Sequence, residues 1–426
     1  MSASLVGSEM CIRDRFYICF VANDTRKTYL YTSEKIDGPW KKQLIEGFYH
    51  DGSLLFDEDG RNYIVYGNDE IWITELNEDL TAPKKDGLHR LLVSDHKNPE
   101  LGYEGSHIQK INGYYYIFLI HSLRDRWMRT EACFYSDSLE GEFTGGDVLC
   151  DDRGYCGQGV AQGGIVDTPD GKWYAMLFQD SGAVGRIPIL LPVTWKDHFP
   201  AFGQNGHVPE EIEVHSTRPG YIYQPLVGSD DFCNGLLPRW QFNHDPDPRY
   251  YHLDALQGTY TITTREVCTE LTQAVNTLTQ RMSYPSCAAE VTVDASALKE
   301  GDVAGLCALQ SCYAAVGITK HHGKYEVLML DKKEDGILDM TEGTVVESHQ
   351  MDFRLEADFC NMKDEARCYY RVNKGDWLPI GTVHKLYFKL DHFTGCRFGL
   401  FCYAAEETGG SACFRDFKYY DVDEIS

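Results

Sequence analysis

A short apolar run led by an aromatic residue recurs four times, and its spacing constrains the fold more than any other feature of the chain. The copies are Phe16-Tyr17-Ile18-Cys19-Phe20, Tyr63-Ile64-Val65-Tyr66, Tyr116-Ile117-Phe118-Leu119 and Tyr174-Ala175-Met176-Leu177. Tyr17, Tyr63, Tyr116 and Tyr174 stand 46, 53 and 58 residues apart. Three copies follow a turn glycine, at Gly60, Gly113 and Gly171. Three are followed by a second strand-like run, Thr28-Tyr29-Leu30-Tyr31, Ile71-Trp72-Ile73-Thr74 and Ala132-Cys133-Phe134-Tyr135. A period of this length fits a four-stranded antiparallel blade and is too long for a helical or leucine-rich repeat. The repeat predicts blades packed radially around a channel, a β-propeller.

Register within the repeat points to a site. Twelve residues before Tyr63, Tyr116 and Tyr174 stand Asp51, Glu104 and Gln162, each followed by glycine. If each residue begins the innermost strand of its blade, the three side chains converge at one mouth of the channel, where the small residue behind leaves room for a ligand. Two carboxylates facing one cleft are what glycosidic bond cleavage requires: one protonates the leaving oxygen while the other acts on water or sugar. Glu104 has the longer reach. Crowding by Asp51 and by aromatic walls is expected to raise its pKa and keep it protonated. An acid before Gly-Ser also caps turns, and the matching register in consecutive blades favours the site. Tyr103 and Trp127 are candidate platforms for a sugar ring, and His107 joins them as a candidate substrate contact.

The stretches His50-Asp51-Gly52-Ser53-Leu54-Leu55-Phe56-Asp57-Glu58-Asp59-Gly60, Tyr103-Glu104-Gly105-Ser106-His107 and Gly182-Ala183-Val184-Gly185-Arg186 resemble glycoside hydrolase family 43 over roughly residues 16–225. The resemblance implies a five-bladed propeller and an inverting, exo-acting enzyme. It would release terminal α-L-arabinofuranosyl or β-D-xylosyl residues from plant cell-wall polysaccharides. By position, Glu104 matches the general acid, Asp51 the carboxylate that tunes and orients it, and Arg186 the arginine that contacts substrate. Gln162 stands where many relatives place a channel histidine that helps to hold a metal or water cluster; its amide oxygen can accept from water or ligate a hard cation, but it is a weaker argument for bound calcium. The family's general base, an aspartate on the first blade, lies upstream of anything that aligns. Four repeats are visible where five are expected, so the first blade is missing or incomplete. Residues 1–15 show no strand alternation and resemble non-native sequence, and Asp14 has no strand pattern to make it a substitute base. A chain without the base also fits a non-catalytic sugar-binding propeller. A propeller phosphorylase would need a basic cluster of which only Arg186 is in place. A protein-scaffolding propeller predicts no paired acids.

Beyond the Pro- and Gly-bearing segment 216–228 the repeat stops. Residues 229–426 alternate in short runs, such as 258–264, 288–293 and 324–329, the pattern of an all-β sandwich. Trp240-Gln241-Phe242-Asn243-His244-Asp245-Pro246, Ala274-Val275-Asn276-Thr277-Leu278-Thr279-Gln280-Arg281 and Gly301-Asp302-Val303-Ala304-Gly305-Leu306 resemble the concanavalin-like jelly-roll domain attached to family 43 xylosidases. No cofactor is required. Calcium is the one ion the residues suggest, if pairing of the terminal strands brings Asp230, Asp231 and Asp416 together. Solvated edge carboxylates are the competing reading, and His321-His322 reads as an exposed turn.

The formal charge of −25 repels nucleic acid and anionic membrane surfaces, no apolar run is long enough to span a bilayer, and a carbohydrate partner is compatible with both. The 15 cysteines are scattered without a C-x-x-C pair, which reads as buried free thiols in a reducing, cytoplasmic setting.

Overall fold

The computed structural model describes residues 15–214, 216, 218–389, 392 and 394–421, with the backbone of two further strands, Ala3–Ser4 and Met10–Ile12. Asp14 lies outside the described residues. Among the described residues the chain is all-β, interrupted by three 3-10 turns at Gly182–Val184, Leu271–Gln273 and Cys360–Met362, and no described helix is long and apolar enough to cross a membrane. It divides into two compact units. Met1–Asp180 with Arg186–Thr217 form the first, and Ser181–Gly185 with Arg218–Ser426 form the second.

The first unit is a propeller-like set of four blades among the described residues. Blade 1 holds Arg15–Ala22, Lys27–Ser33 and Lys41–Ile45. Ala3–Ser4 and Met10–Ile12 pair with its first strand through Ala3↔Ala22 and Met10↔Tyr17, although residues 1–15 show no strand alternation in sequence. Blade 2 comprises Ser53–Phe56, Asn62–Asn68, Glu70–Leu76 and His89–Ser94. Blade 3 comprises Glu104–Ile111, Tyr114–Ser122, Arg129–Ser136 and Thr144–Leu149. Blade 4 comprises Ala161–Asp167, Trp173–Asp180, Arg186–Lys196 and Phe199–Phe202.

Blades 2 and 3 sit between neighbours, and their second strands are apolar on both faces: 117 to 120 are wholly buried, as are Tyr63, Ile64 and Val65. Blades 1 and 4 each bury one face and leave the other incompletely covered. On blade 4, Ala175, Leu177, Leu191 and Val193 enter the core with blade 3, whereas Val166 and Met176, on the opposite face, are 56% and 50% exposed. On blade 1, Cys19 and Leu30 pack toward blade 2, while Phe20 stacks with Tyr29 and Tyr31 on a half-buried face.

Polar clasps tie blade 2 to blade 3. Asp57 accepts from Lys110 Nζ at 2.7 Å and from the Tyr115 hydroxyl at 2.5 Å. Burial alone would raise the Asp57 pKa; these two donors outweigh it and hold the carboxyl below its usual range. Nearer the inner strands, Ile108 N–H donates to Ser53 Oγ, and Gln109 Nε2 reaches blade 4 at Ile165 O. Blade spacing beside the site is thus fixed by hydrogen bonds as well as by packing.

The second unit is a sandwich of an eight-stranded and a seven-stranded sheet. The strands expected within 258–264, 288–293 and 324–329 are Thr259–Thr263, Ser286–Asp294 and Lys324–Lys332. Their inward side chains form one continuous core around Phe353, Phe398 and Phe414. Trp240 and Asn276, from the motifs singled out above, are locks. Trp240 Nε1 donates to Asp230 Oδ2, and Asn276 clamps the Asp247 backbone through both amide atoms, its own backbone at φ +66°. The terminal segments of this unit meet at Asp230↔Phe417, and Asp230 Oδ1 accepts the Phe232 N–H, so one carboxylate oxygen serves a local turn and the other the Trp240 indole. His321 and His322 form an exposed turn with rings 4.0 Å apart. The 14 described cysteines are free thiols, mostly buried.

Asp302 in this unit is fully buried. Its Oδ2 accepts the Lys299 N–H at 2.8 Å, its Oδ1 has no hydrogen-bond partner, and burial pushes the carboxyl up to about 6. Between the ordinary aspartate range and about pH 6 the folded chain therefore binds a proton that the unfolded chain has released, so stability falls as pH rises through that window. Asp302→Asn is expected to flatten this part of the profile, measured as melting temperature from pH 4 to 7. A slope identical to that of the parent chain would count against it.

Candidate active site

The site is built at the start of the innermost strands. In each of blades 2 to 4 the strand opens with a one-residue bulge whose extra residue takes a left-handed backbone: Asp51 at φ +48°, Gly105 at +67° and Gln162 at +65°. Pairing corrects the register expected from sequence. Glu104 pairs with Ile120 and Ala161 with Phe178, and the His50 carbonyl accepts from Gly67 N–H. The partners lie four residues past Tyr116, Tyr174 and Tyr63 respectively. Glu104 is therefore equivalent to His50 and Ala161, while Asp51 and Gln162 are equivalent to Gly105. Hairpin length explains the slip. In blade 3 a two-residue Asn112-Gly113 turn, both residues at positive φ, joins Ile111 to Tyr114, whereas residues 57–61 and 168–172 form five-residue loops in blades 2 and 4.

Despite the slip, Asp51 and Glu104 come together. His50 Nε2 lies 3.7 Å from Asp51 Oδ2 and 3.8 Å from Glu104 Oε2. Asp51 Oδ2 also accepts the Gly105 N–H at 3.1 Å, and Asn68 Nδ2 donates to Glu104 Oε2 at 3.0 Å. The His50 imidazole is held above its usual pKa, first by the Glu104 carboxylate beside it and then by the charge of Asp51, against the opposing effect of burial. The side chain of Asp51 is 5% exposed and that of Glu104 23%, so the first is enclosed and the second reaches open space.

Gln162 packs against Gly105, where an added methyl group would sit 2.7 Å from Gln162 Nε2. The Gln162 N–H donates to Glu131 Oε2 at 2.6 Å. Glu131 is fully buried, and burial pushes its carboxyl well above the ordinary range, more than the Gln162 N–H and Arg129 pull it down. Arg129, two residues before it on the same strand, is 4% exposed and pairs with Asp180 Oδ2. Asp180 Oδ1 lies 3.3 Å from Arg186 Nε, and both guanidinium groups lie against the Phe178 ring, at 5.0 and 4.4 Å from its centroid. Arg129 is close enough to Glu104 for that charge to act on it. Arg186 is thus fixed by a carboxylate and an aromatic ring that a second arginine also holds.

The other expected contacts divide. His107 is half-buried beside Gly164, where a methyl group would lie 3.4 Å from its Nδ1. Burial pushes its imidazole down to about 4, so it is neutral near pH 7. Below about pH 6.5 the unfolded chain takes up a proton that folded His107 refuses, and the folded state loses stability as pH falls toward 4. His107→Asn is expected to lessen this acid sensitivity, read from urea midpoints at pH 7 and pH 5. Equal shifts in variant and parent would refute it. Trp127 is 41% exposed on the 123–128 loop, beside Gly157, and is open to a ligand. The Tyr103 ring is half-buried against His121 and Phe134, at 5.0 and 5.4 Å, and forms wall more than platform.

Sequence reasoning did not single out His50, Asn68, Arg129, Glu131 or Asp180 as site residues. Arg129 and Glu131 carried a signal: two charges on one face of an otherwise apolar strand are buried only if paired or neutralised.

Residues 10–200 match the family described as Glycosyl hydrolases family 43, and residues 229–420 the Beta xylosidase C-terminal Concanavalin A-like domain. A solved structure of a bifunctional GH43-CE protein from Bacteroides eggerthii is 39% identical and superposes with a TM-score of 0.85 over 99% of this chain and 54% of its own. Named Beta-xylosidase, a Formosa agariphila protein is 23% identical over 98% of this chain and 76% of its own length. Xylosidase/arabinosidase 43B of Humicola insolens is 24% identical over 92% and 78%. A Xylanibacter ruminicola relative, 26% identical over 72% of this chain, is matched over 58% of its length, so the chain spans little more than half of some of its relatives. With both units matched and the site motifs in place, the chain belongs to glycoside hydrolase family 43 and carries that family's xylosidase-type concanavalin-like domain.

Proposed function

We propose that this protein is an exo-acting, inverting glycoside hydrolase that releases terminal α-L-arabinofuranosyl or β-D-xylosyl residues from arabinoxylan and related oligosaccharides. The observation that carries the reading is the convergence of the Glu104 and Asp51 carboxylates on one imidazole at 3.8 and 3.7 Å. Glu104, the more accessible, protonates the leaving glycosidic oxygen. Asp51, held by the Gly105 N–H, orients it. Arg186, braced by Asp180 and Phe178, meets sugar hydroxyls, and Trp127 offers a stacking face. The names of the Formosa and Humicola relatives support a xyloside or arabinoside substrate.

Inversion needs a second carboxylate across the sugar, about 6.5–9.5 Å from the acid, with water between. In this proposal it comes from a fifth blade preceding the four described. The half-covered apolar faces of blades 1 and 4 support this placement, since a closed ring would bury both. The test is proton NMR of the first sugar released from a xylo-oligosaccharide or arabinoxylan, with the base restored by upstream sequence. Initial release of the inverted anomer is expected, whereas retained configuration would rule out the proposed mechanism.

A further inference from the structure

His50, Asp51 and Glu104 are the one group among the described residues in which three atoms able to ligate a metal lie within 4.8 Å of one another. Two separations are 3.7 and 3.8 Å. Tetrahedral zinc with bonds of about 2.0–2.2 Å sets its ligand atoms roughly 3.3–3.5 Å apart, so these two gaps close with side-chain shifts of a few tenths of an ångström. The ligands come from equivalent bulges of adjacent blades, where backbone pairing fixes them. Each carboxylate oxygen already has a donor from outside the trio: Gly105 N–H on Asp51, and Asn68 Nδ2 on Glu104. Outer donors of this kind orient metal ligands. In blade 4 the equivalent place is Ala161, whose methyl group contributes no ligand.

We propose that His50 Nε2, Asp51 Oδ2 and Glu104 Oε2 bind one borderline divalent cation of the zinc class, leaving a fourth position to water, and that this ion shuts the sugar-cleaving site. One imidazole and two carboxylates suit zinc or copper; calcium and magnesium favour larger all-oxygen shells. A Glu104 carboxylate bound to metal cannot deliver a proton to a leaving oxygen. That consequence rests on the hydrolase reading, whereas the binding does not.

The test uses the full chain with its accessible thiols, among them Cys150, Cys156, Cys233 and Cys360, alkylated so that they cannot compete for metal. Titration with Co²⁺ is expected to give one equivalent of visible d–d absorption without a sulfur charge-transfer band, displaced by Zn²⁺. His50→Ala and Asp51→Asn are each expected to weaken binding by at least about tenfold, with Glu104→Gln as a third variant and near-UV circular dichroism confirming the fold. Affinity unchanged in the folded variants, or no such band in the parent chain, overturns the proposal. If turnover is measured as well, Zn²⁺ inhibits it and a chelator restores it. With the base restored by upstream sequence, cobalt binding without any turnover refutes only the hydrolase reading, and turnover without binding refutes only this one.

Discussion

Glu104→Gln is expected to lower kcat on a 1,4-linked xylo-oligosaccharide by about 10²–10⁴-fold, the usual contribution of a positioned general acid. The amide keeps the size of the side chain and a donor and acceptor for Asn68 and His50, which lie 3.0 and 3.8 Å from Glu104 Oε2, but it has no acidic proton to give. The loss should depend on the leaving group. A nitrophenolate departs as a stable anion and needs little protonation, so nitrophenyl xyloside or arabinofuranoside should lose far less than the oligosaccharide. Both substrates would be compared with the base supplied by upstream sequence or by added formate. Equal losses on both would remove Glu104 from the role of acid. The contrast also separates a chemical role from a structural one, since a collapsed site would impair both.

The second large effect concerns stability. Phe353 lies in the strand Gln350–Asp358, between Val291 and Tyr370 on its two neighbours, and is wholly buried at the centre of the sandwich core. Phe353→Ala removes its ring contacts and leaves a cavity that paired strands on both sides cannot collapse to fill. The expected cost is about 3–5 kcal/mol, a large fraction of the roughly 5–15 kcal/mol that holds a typical domain. The urea midpoint of the sandwich transition should fall accordingly. A loss below about 1 kcal/mol would show that the core relaxes around the gap.

The blades were legible in the sequence because each second strand must be apolar on both faces when it lies between neighbours, and Tyr116-Ile117-Phe118-Leu119 shows this with no polar interruption. The sandwich strands were legible by alternation, and Thr259–Thr263 and Lys324–Lys332 fall within two or three residues of the expected bounds. Asp51 and Glu104 were found by counting back a fixed number of residues. That count assumed a constant hairpin length, and the Asn112-Gly113 turn breaks the assumption. The residues that brace the site were less visible, because their roles depend on contacts far apart in sequence. Asp180 bridges Arg186 to Arg129, 51 residues away, and Glu131 accepts from the Gln162 backbone. No local pattern encodes such pairs. The strands at Ala3–Ser4 and Met10–Ile12 were missed because pairing to an existing edge needs backbone hydrogen bonds and no particular alternation.

The bulges at Asp51, Gly105 and Gln162 bear on how such a site can be altered. Successive residues of a flat strand face opposite ways, so moving a functional group by one place would normally turn it away from its target. Here the irregularity at each strand opening lets neighbouring positions look into the same hollow, one acid entering just before the kink in blade 3 and the other at the kink itself in blade 2. A protein engineer grafting new chemistry onto blade 4 thus has two usable addresses, Ala161 and Gln162, in place of one, and transplanting by turn-to-turn distance would select the wrong one.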